Sequence, residues 1–192
     1  MSQEGWTRVA VRRTYLELRS LAELRPARAP REPVELTLRR PIEAADYLSL
    51  YTLVGERWLW RDRLAWTREE LERYLAIPDV YVWSAHVRDR TAGYFELRRH
   101  PDRTVEVMYF GLAPAFIGQG IGGWLLTRTA EEAFALDASR VMLNTCTLDA
   151  PQALPNYLAR GFTIVREDQY LLEVPEHGVQ RQVGLQRLTT RS

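Results

Sequence analysis

Residues 116–123 read FIGQGIGG, and four of the chain's 11 glycines fall within these eight positions. A turn needs one glycine or two. A site that brings backbone N–H groups against a phosphate needs several, because each missing Cβ lets the anion come closer to the main chain. An apolar run with helical spacing follows, so the loop would open a helix whose first N–H groups are unpaired and whose dipole end is positive. The loop itself carries no charged side chain, so binding there would rest on the backbone. Three readings stand at this point: a tight strand–helix turn, a dinucleotide site of the G-x-G-x-x-G kind, and a phosphate cradle. A Walker loop is not among them. It needs G-K-[ST], and all 26 basic residues of this chain are arginine. The same absence of lysine excludes a Schiff-base lysine, and with it ordinary pyridoxal-phosphate chemistry.

Other residues that could do chemistry are few. Cys146 is the single cysteine and sits in an apolar stretch, where a thiol more often packs as a small core residue than attacks a substrate. His86, His100 and His177 are scattered and lack metal-ligand spacing, so no metal is expected. No G-x-S-x-G occurs, which removes the serine-hydrolase reading.

The elements that must position the loop can be read from periodicity. The stretch 7–18 partly alternates and reads as an extra strand or an arm; 25–33, with three prolines and three arginines, reads as an extended linker. Residues 34–40 alternate as a strand. A helix over 42–57 is expected to use Ala45, Leu48, Tyr51 and Thr52 as its stripe. Thr67 with Glu70 forms a capping box for a helix over 67–76. Strands at 80–87, 91–99 and 104–114 make an antiparallel meander. A helix at about 120–136 buries Leu126, Ala130, Ala133 and Phe134; a strand follows at 139–148. A short helix starts near Pro151, with Gly161 at its C′ position, and 162–174 is a last strand or hairpin. The order β-α-α-β-β-β-α-β-α-β implies an α/β chain of the α+β kind, with a mixed sheet and not a doubly wound one. A dinucleotide site is disfavoured, because the glycines follow an antiparallel meander and run G-x-G-x-G-G. The expected division is an arm and linker over 1–33, a main domain over 34–174, and a tail over 175–192.

VEVMYFGLAPAFIGQGIGGWLL resembles the signature segment of the GNAT superfamily, the GCN5-related N-acetyltransferases: a strand, V-x-P, then [QR]-x-x-G-x-[GA] opening a helix. Leu112, Ala113 and Pro114 stand at V-x-P, and Gly120 and Gly122 at the two small positions. Ile117 stands where the pattern asks for Gln or Arg. A second block, with Ala153, Tyr157, Gly161 and Phe162, is similar to the family's A-x-x-x-Y-x-x-x-G-F. The resemblance covers about residues 34–174. It implies acetyl-CoA or a related acyl-CoA as donor substrate, no metal, and direct transfer to an amine in a ternary complex. The pantetheine arm would enter a gap beside a bulged fourth strand, with the bulge expected within 109–113, where Gly111 is suited to one. The N–H of Leu112 would polarise the thioester carbonyl. The amides of Ile117, Gly118, Gln119 and Gly120, with those of Ile121, Gly122 and Gly123, would hold the pyrophosphate, and Asn156 would bond pantetheine. Glu106 is the candidate base for the amine and Tyr157 the candidate acid for the departing thiolate. Trp58, Trp60 and Trp66 could wall the acceptor pocket, with Glu56 and Asp62 to attract an amine; the same segment could serve as a helix contact or a dimer interface.

A chain of 192 residues with 46% hydrophobic and 27% charged residues can bury a real core. Its net charge of +1 gives no global pull on nucleic acid or acidic membrane. No apolar run is long enough for a membrane span, no signal-peptide core is visible, and one cysteine suits a reducing, cytoplasmic setting. The partners expected are a small-molecule amine or a peptide as acceptor, and a second copy in a homodimer. A non-catalytic acyl-CoA sensor and an acyltransferase acting on protein N-termini or side chains remain alternatives.

Overall fold

The computed structural model describes residues 5–175; the expected tail beyond, with His177, lies outside the described residues. Eleven elements run in order: β1 Trp6–Leu18, β2 Glu35–Leu38, α1 Ala44–Gly55, α2 Arg68–Leu75, β3 Val80–Val87, β4 Arg90–Arg99, β5 Thr104–Leu112, α3 Ile121–Ala135, β6 Arg140–Cys146, α4 Ala153–Ala159 and β7 Thr163–Pro175. Among these residues no helix is long and apolar enough to cross a membrane. The seven strands form one mixed sheet in the order β2-β3-β4-β5-β6-β1-β7. Only β5 and β6 run parallel. The stretch read as an extra strand or an arm is therefore a strand with a neighbour on each side. It joins the same sheet as the elements after residue 34 and buries Val11, Leu16 and Leu18.

Helices cover both faces. The main core joins Leu125, Leu126, Ala130 and Ala133 of α3 and Tyr157 of α4 to strand residues such as Phe95, Val107 and Leu143. A second core joins α1 and α2 to Val82 and Tyr94 on the other face. The α1 stripe is corrected in part: Tyr51 is buried as expected and Leu48 is half-buried, but Ala45 and Thr52 are exposed, and Ala44, Tyr47, Leu50 and Val54 complete the buried face. Tyr47 decides this, since its ring carries more apolar area than Ala45 or Thr52. The capping box of α2 forms as expected, Thr67 Oγ1 accepting from the Glu70 N–H and the Glu70 carboxylate from the Thr67 N–H. Residues 163–175 form one strand, not a hairpin.

Beneath α1 and α2 lies a buried charge. Glu96 of β4 is 0% exposed and accepts hydrogen bonds from the hydroxyls of Tyr47 and Tyr74; Arg63 Nη2 stands 3.4 Å from its Oε1. Burial first, then the Glu96 charge, pushes the phenols of Tyr47, Tyr74 and Tyr94 well above the usual tyrosine range. Above pH ~10 the unfolded chain releases these protons while the folded chain keeps them, so stability is full below that pH and falls above it. For the three groups the slope is about 4 kcal/mol per pH unit. Urea midpoints measured from pH 8 to 11 should be flat up to ~10 and then drop steeply; a flat curve to pH 11 would contradict the buried network.

Candidate functional site

The β5–β6 ladder runs from Thr104↔Arg140 to Val107↔Leu143 and stops there. On its other edge β5 stays paired with β4 up to Leu112↔Gly93, but Met108 is an extra residue between Val107, opposite Leu97, and Tyr109, opposite Glu96. Past this bulge the two strands are no longer paired, and a wedge opens between them. Met108 lies just before the stretch 109–113 in which the sequence places the bulge. Gly111 instead pairs in register with Tyr94, and its missing Cβ serves packing, since one there would lie 2.5 Å from Val54 Cγ1 of α1. The extra residue also resets which amides face the wedge. The Ala113 N–H donates to the Ala92 carbonyl at 2.9 Å. Antiparallel pairs alternate, so Gly111 bonds to β4, while the N–H groups of Phe110 and Leu112 point away from β4 into the wedge.

The glycine stretch closes the wide end. Gly118 and Gly120 hold φ of +85° and +78°, the left-handed region that glycine enters without strain, and a Cβ at either would meet nothing within 4 Å. Gly120 is the N-cap of α3 and no side chain caps the helix, so its first N–H groups are left for a ligand. Ile121 turns inward and is buried, Ile117 is 40% exposed, and the Gln119 side chain donates back to the Ala115 carbonyl. Asn156 donates from Nδ2 to the Gly122 carbonyl at 3.3 Å.

Residues from elsewhere stand beside this loop. Arg160, at the end of α4, brings Nη1 to 2.7 Å from where a Gly123 Cβ would lie, and its Nε is buried without a hydrogen-bond partner. The linker crosses the same place: the Ala27 N–H donates to Thr127 Oγ1 and the Arg25 N–H to the Arg160 carbonyl, both at 3.0 Å. Arg25 and Arg28 are exposed beside it, and neither these two nor Arg160 makes an ion pair among the described residues. Unpaired guanidinium groups beside a glycine cradle and an uncapped helix N-terminus fit an anionic group such as a pyrophosphate.

Wedge and loop open into one cavity of about 620 Å³. Tyr157 lines it, flanked by Phe110 and Phe162 with ring centroids 6.1 and 6.2 Å away. Its hydroxyl makes no hydrogen bond among the described residues. Burial, then the charge of Asp149, pushes this phenol well above its usual range, so it stays protonated and able to donate. Glu106 also lines the cavity, and its Oε2 lies 3.1 Å from His100 Nε2. The sequence weighs His100 only as a metal ligand, not as a partner of Glu106. The tight turn between β4 and β5, closed by the His100 N–H on the Thr104 carbonyl, brings residues 100 and 106 side by side. His86 lies instead against Ser84 Oγ.

Of the residues expected around an acceptor, Trp58, Trp60 and Asp62 line the cavity; Trp66 and Glu56 do not. Trp66 packs on Tyr74, its ring 4.0 Å from the Arg63 guanidinium, so it anchors the segment and forms no part of the pocket wall. Cys146 is corrected from core to cavity wall. Burial, then Asp149, pushes its thiol up, which disfavours the thiolate a nucleophile needs.

A strand wedge, a glycine-opened helix and a buried tyrosine thus meet in one cavity. The family model described as the Acetyltransferase (GNAT) family matches residues 49–162, and the chain belongs to that family. Among solved structures it is similar to a GCN5-related N-acetyltransferase from Kribbella flavida, with TM-score 0.61 and 17% identity, over 89% of this chain and 60% of that one. It is similar to a Bacillus subtilis acetyltransferase in complex with CoA, with TM-score 0.54 and 19% identity, over 70% and 79%. An aminoglycoside acetyltransferase from an uncultured soil metagenomic sample, in complex with sisomicin, matches with TM-score 0.53 and 15% identity, over 66% and 85%. The chain thus spans less than two thirds of the length of the Kribbella protein. No curated protein matches it.

Proposed function

We propose that the chain transfers an acyl group, acetyl first of all, from acyl-CoA to a primary amine by direct attack in a ternary complex. The observation that carries this reading is the continuity of the cavity. One space runs from the glycine cradle, past the wedge amides and the Tyr157 hydroxyl, to Glu106. Acetyl-CoA supplies an activated thioester. Leu112 offers its N–H to the oxygen that becomes negative during attack. Glu106, held by His100, takes the proton of the amine as the C–N bond forms, directly or through water. Tyr157 gives its proton to the thiolate as the C–S bond breaks, and the products are an amide and CoA. The sisomicin complex of the metagenomic relative supports a small-molecule amine as acceptor.

Calorimetric titration tests the donor. Acetyl-CoA and CoA should bind and NAD should not; absence of CoA binding overturns the reading. Gly120→Leu should cost at least tenfold in CoA affinity with the fold kept, because it strains a left-handed position and fills the open space over α3. Arg160→Gln should weaken CoA by at least tenfold and pantetheine hardly at all, since one charge-assisted contact is worth roughly 1.5–3 kcal/mol. Equal loss for both ligands would place Arg160 away from the phosphates.

A further inference from the structure

We infer that the cavity contains a carboxylate-binding subsite at Arg13, so that the acceptor is an amine that also bears a carboxylate; this rests on the transferase reading above. Arg13 lies on β1 and lines the same cavity as Glu106. Its guanidinium is already oriented. Nη2 donates to the Tyr170 hydroxyl at 2.9 Å, and Cζ lies 4.6 Å from the Tyr170 ring centroid. The Tyr15 hydroxyl is a second partner of the group, and the buried Nε has none. Among the described residues it also makes no ion pair. Asp149, on the same wall, is engaged elsewhere: its Oδ2 accepts from Thr145 Oγ1 at 2.7 Å and from the Cys146 N–H at 2.9 Å. The contrast with Arg63 is direct, because that buried guanidinium has Glu96 beside it.

A guanidinium held by two phenols, with no ion pair among the described residues and on the wall of a cavity, lacks an anion. One fork suits a planar carboxylate, which accepts two parallel N–H bonds; a phosphate is more often met by several cations or a nest of amides, as at the α3 end. Arg13 and the candidate base also mark opposite ends of a span. Glu106 stands opposite Met142 and Arg13 opposite Cys146, four residues further along β6 and on the same sheet face. That is about 13 Å along the strands and about 10 Å across two strand spacings, before the side chains reach inward. An α-amino acid is too short for such a span; a dipeptide or a long ω-amino acid suits it.

The test compares acetyl transfer to glycylglycine and 6-aminohexanoate with transfer to glycylglycinamide and hexylamine, measured as kcat/KM. The carboxylated acceptors should be preferred at least tenfold. Arg13→Gln should erase that preference, Arg13→Lys should restore part of it, and Tyr170→Phe should weaken it. Arg8→Gln, on the same strand but outside the cavity, should keep it and so controls for net charge. No preference in the natural chain, or one that survives Arg13→Gln, overturns the subsite. An Arg13-dependent preference for succinyl-CoA over acetyl-CoA, with none among acceptors, gives the carboxylate to the acyl chain and overturns the acceptor assignment. If no amine is acetylated and CoA does not bind, the transferase reading has failed. Calorimetry with N-acetylglycylglycine then decides Arg13 alone, equal affinity for the natural chain and Arg13→Gln overturning the subsite.

Discussion

Tyr157→Phe should lower kcat by at least a hundredfold while CoA affinity and thermal stability stay nearly unchanged. The change removes one oxygen from a ring that is 6% exposed and packed between Phe110 and Phe162, so the packing survives. The hydroxyl has no protein partner to lose, so no buried group is orphaned. What disappears is a proton donor aimed into the cavity, and general acid catalysis contributes on the order of 10²–10⁴-fold. Because burial raises this phenol, the natural chain should also show no alkaline loss of kcat below pH ~10 from this group. Unchanged turnover in Tyr157→Phe would return Tyr157 to a packing role.

Glu96→Ala should cost about 3–5 kcal/mol, because it leaves the Arg63 charge buried with no counter-ion. Arg63 is stacked 4.0 Å from the Trp66 ring centroid and 4.4 Å from that of Tyr74, so it has little freedom to reach water. Two hydroxyls, of Tyr47 and Tyr74, lose their acceptor at the same time. Arg63 belongs to the single turn at 62–65, next to Asp62 and just past Trp60. The variant should therefore loosen the acceptor wall as well as the fold, raising KM for the amine more than for CoA. The midpoint of thermal unfolding should fall by roughly 8 °C or more. Glu96→Ala with Arg63→Met should recover much of the loss. A single variant as stable as the natural chain would mean that the cluster is solvated.

What the sequence made legible follows from local physics. The capping box at Thr67 and Glu70 needs only four residues. Gly161 is readable because a helix that ends needs a left-handed residue; its φ is +98°, and a Cβ there would stand 2.1 Å from the Glu23 carbonyl. The glycine stretch and the order of elements are local in the same way. The corrections come from longer range. Whether Met108 or Gly111 is the extra residue depends on how β4 fits β5, and no pattern within β5 records it. Arg160 reaches the loop only because α4 packs beside α3, and Arg13 enters the cavity only because β1 lies between β6 and β7. His100 pairs with Glu106 through a turn that the spacing alone does not mark as chemical. The Glu96 cluster gave no sign, since a carboxylate in a strand is ordinarily solvated.

The place of β1 also sets an order of assembly. Its partners are the last elements described: Trp6 stands opposite Pro175, and Arg13 opposite both Cys146 and Asp168. The β3–β5 meander joins neighbours in the chain and can close early, whereas β1 holds both edges unpaired until residues 140–175 are available. Contacts at such sequence separation form slowly and leave an adhesive strand waiting. The half of the sheet that carries Arg13 is thus expected to form last, so that in a nascent chain the glycine cradle should precede the far cavity wall.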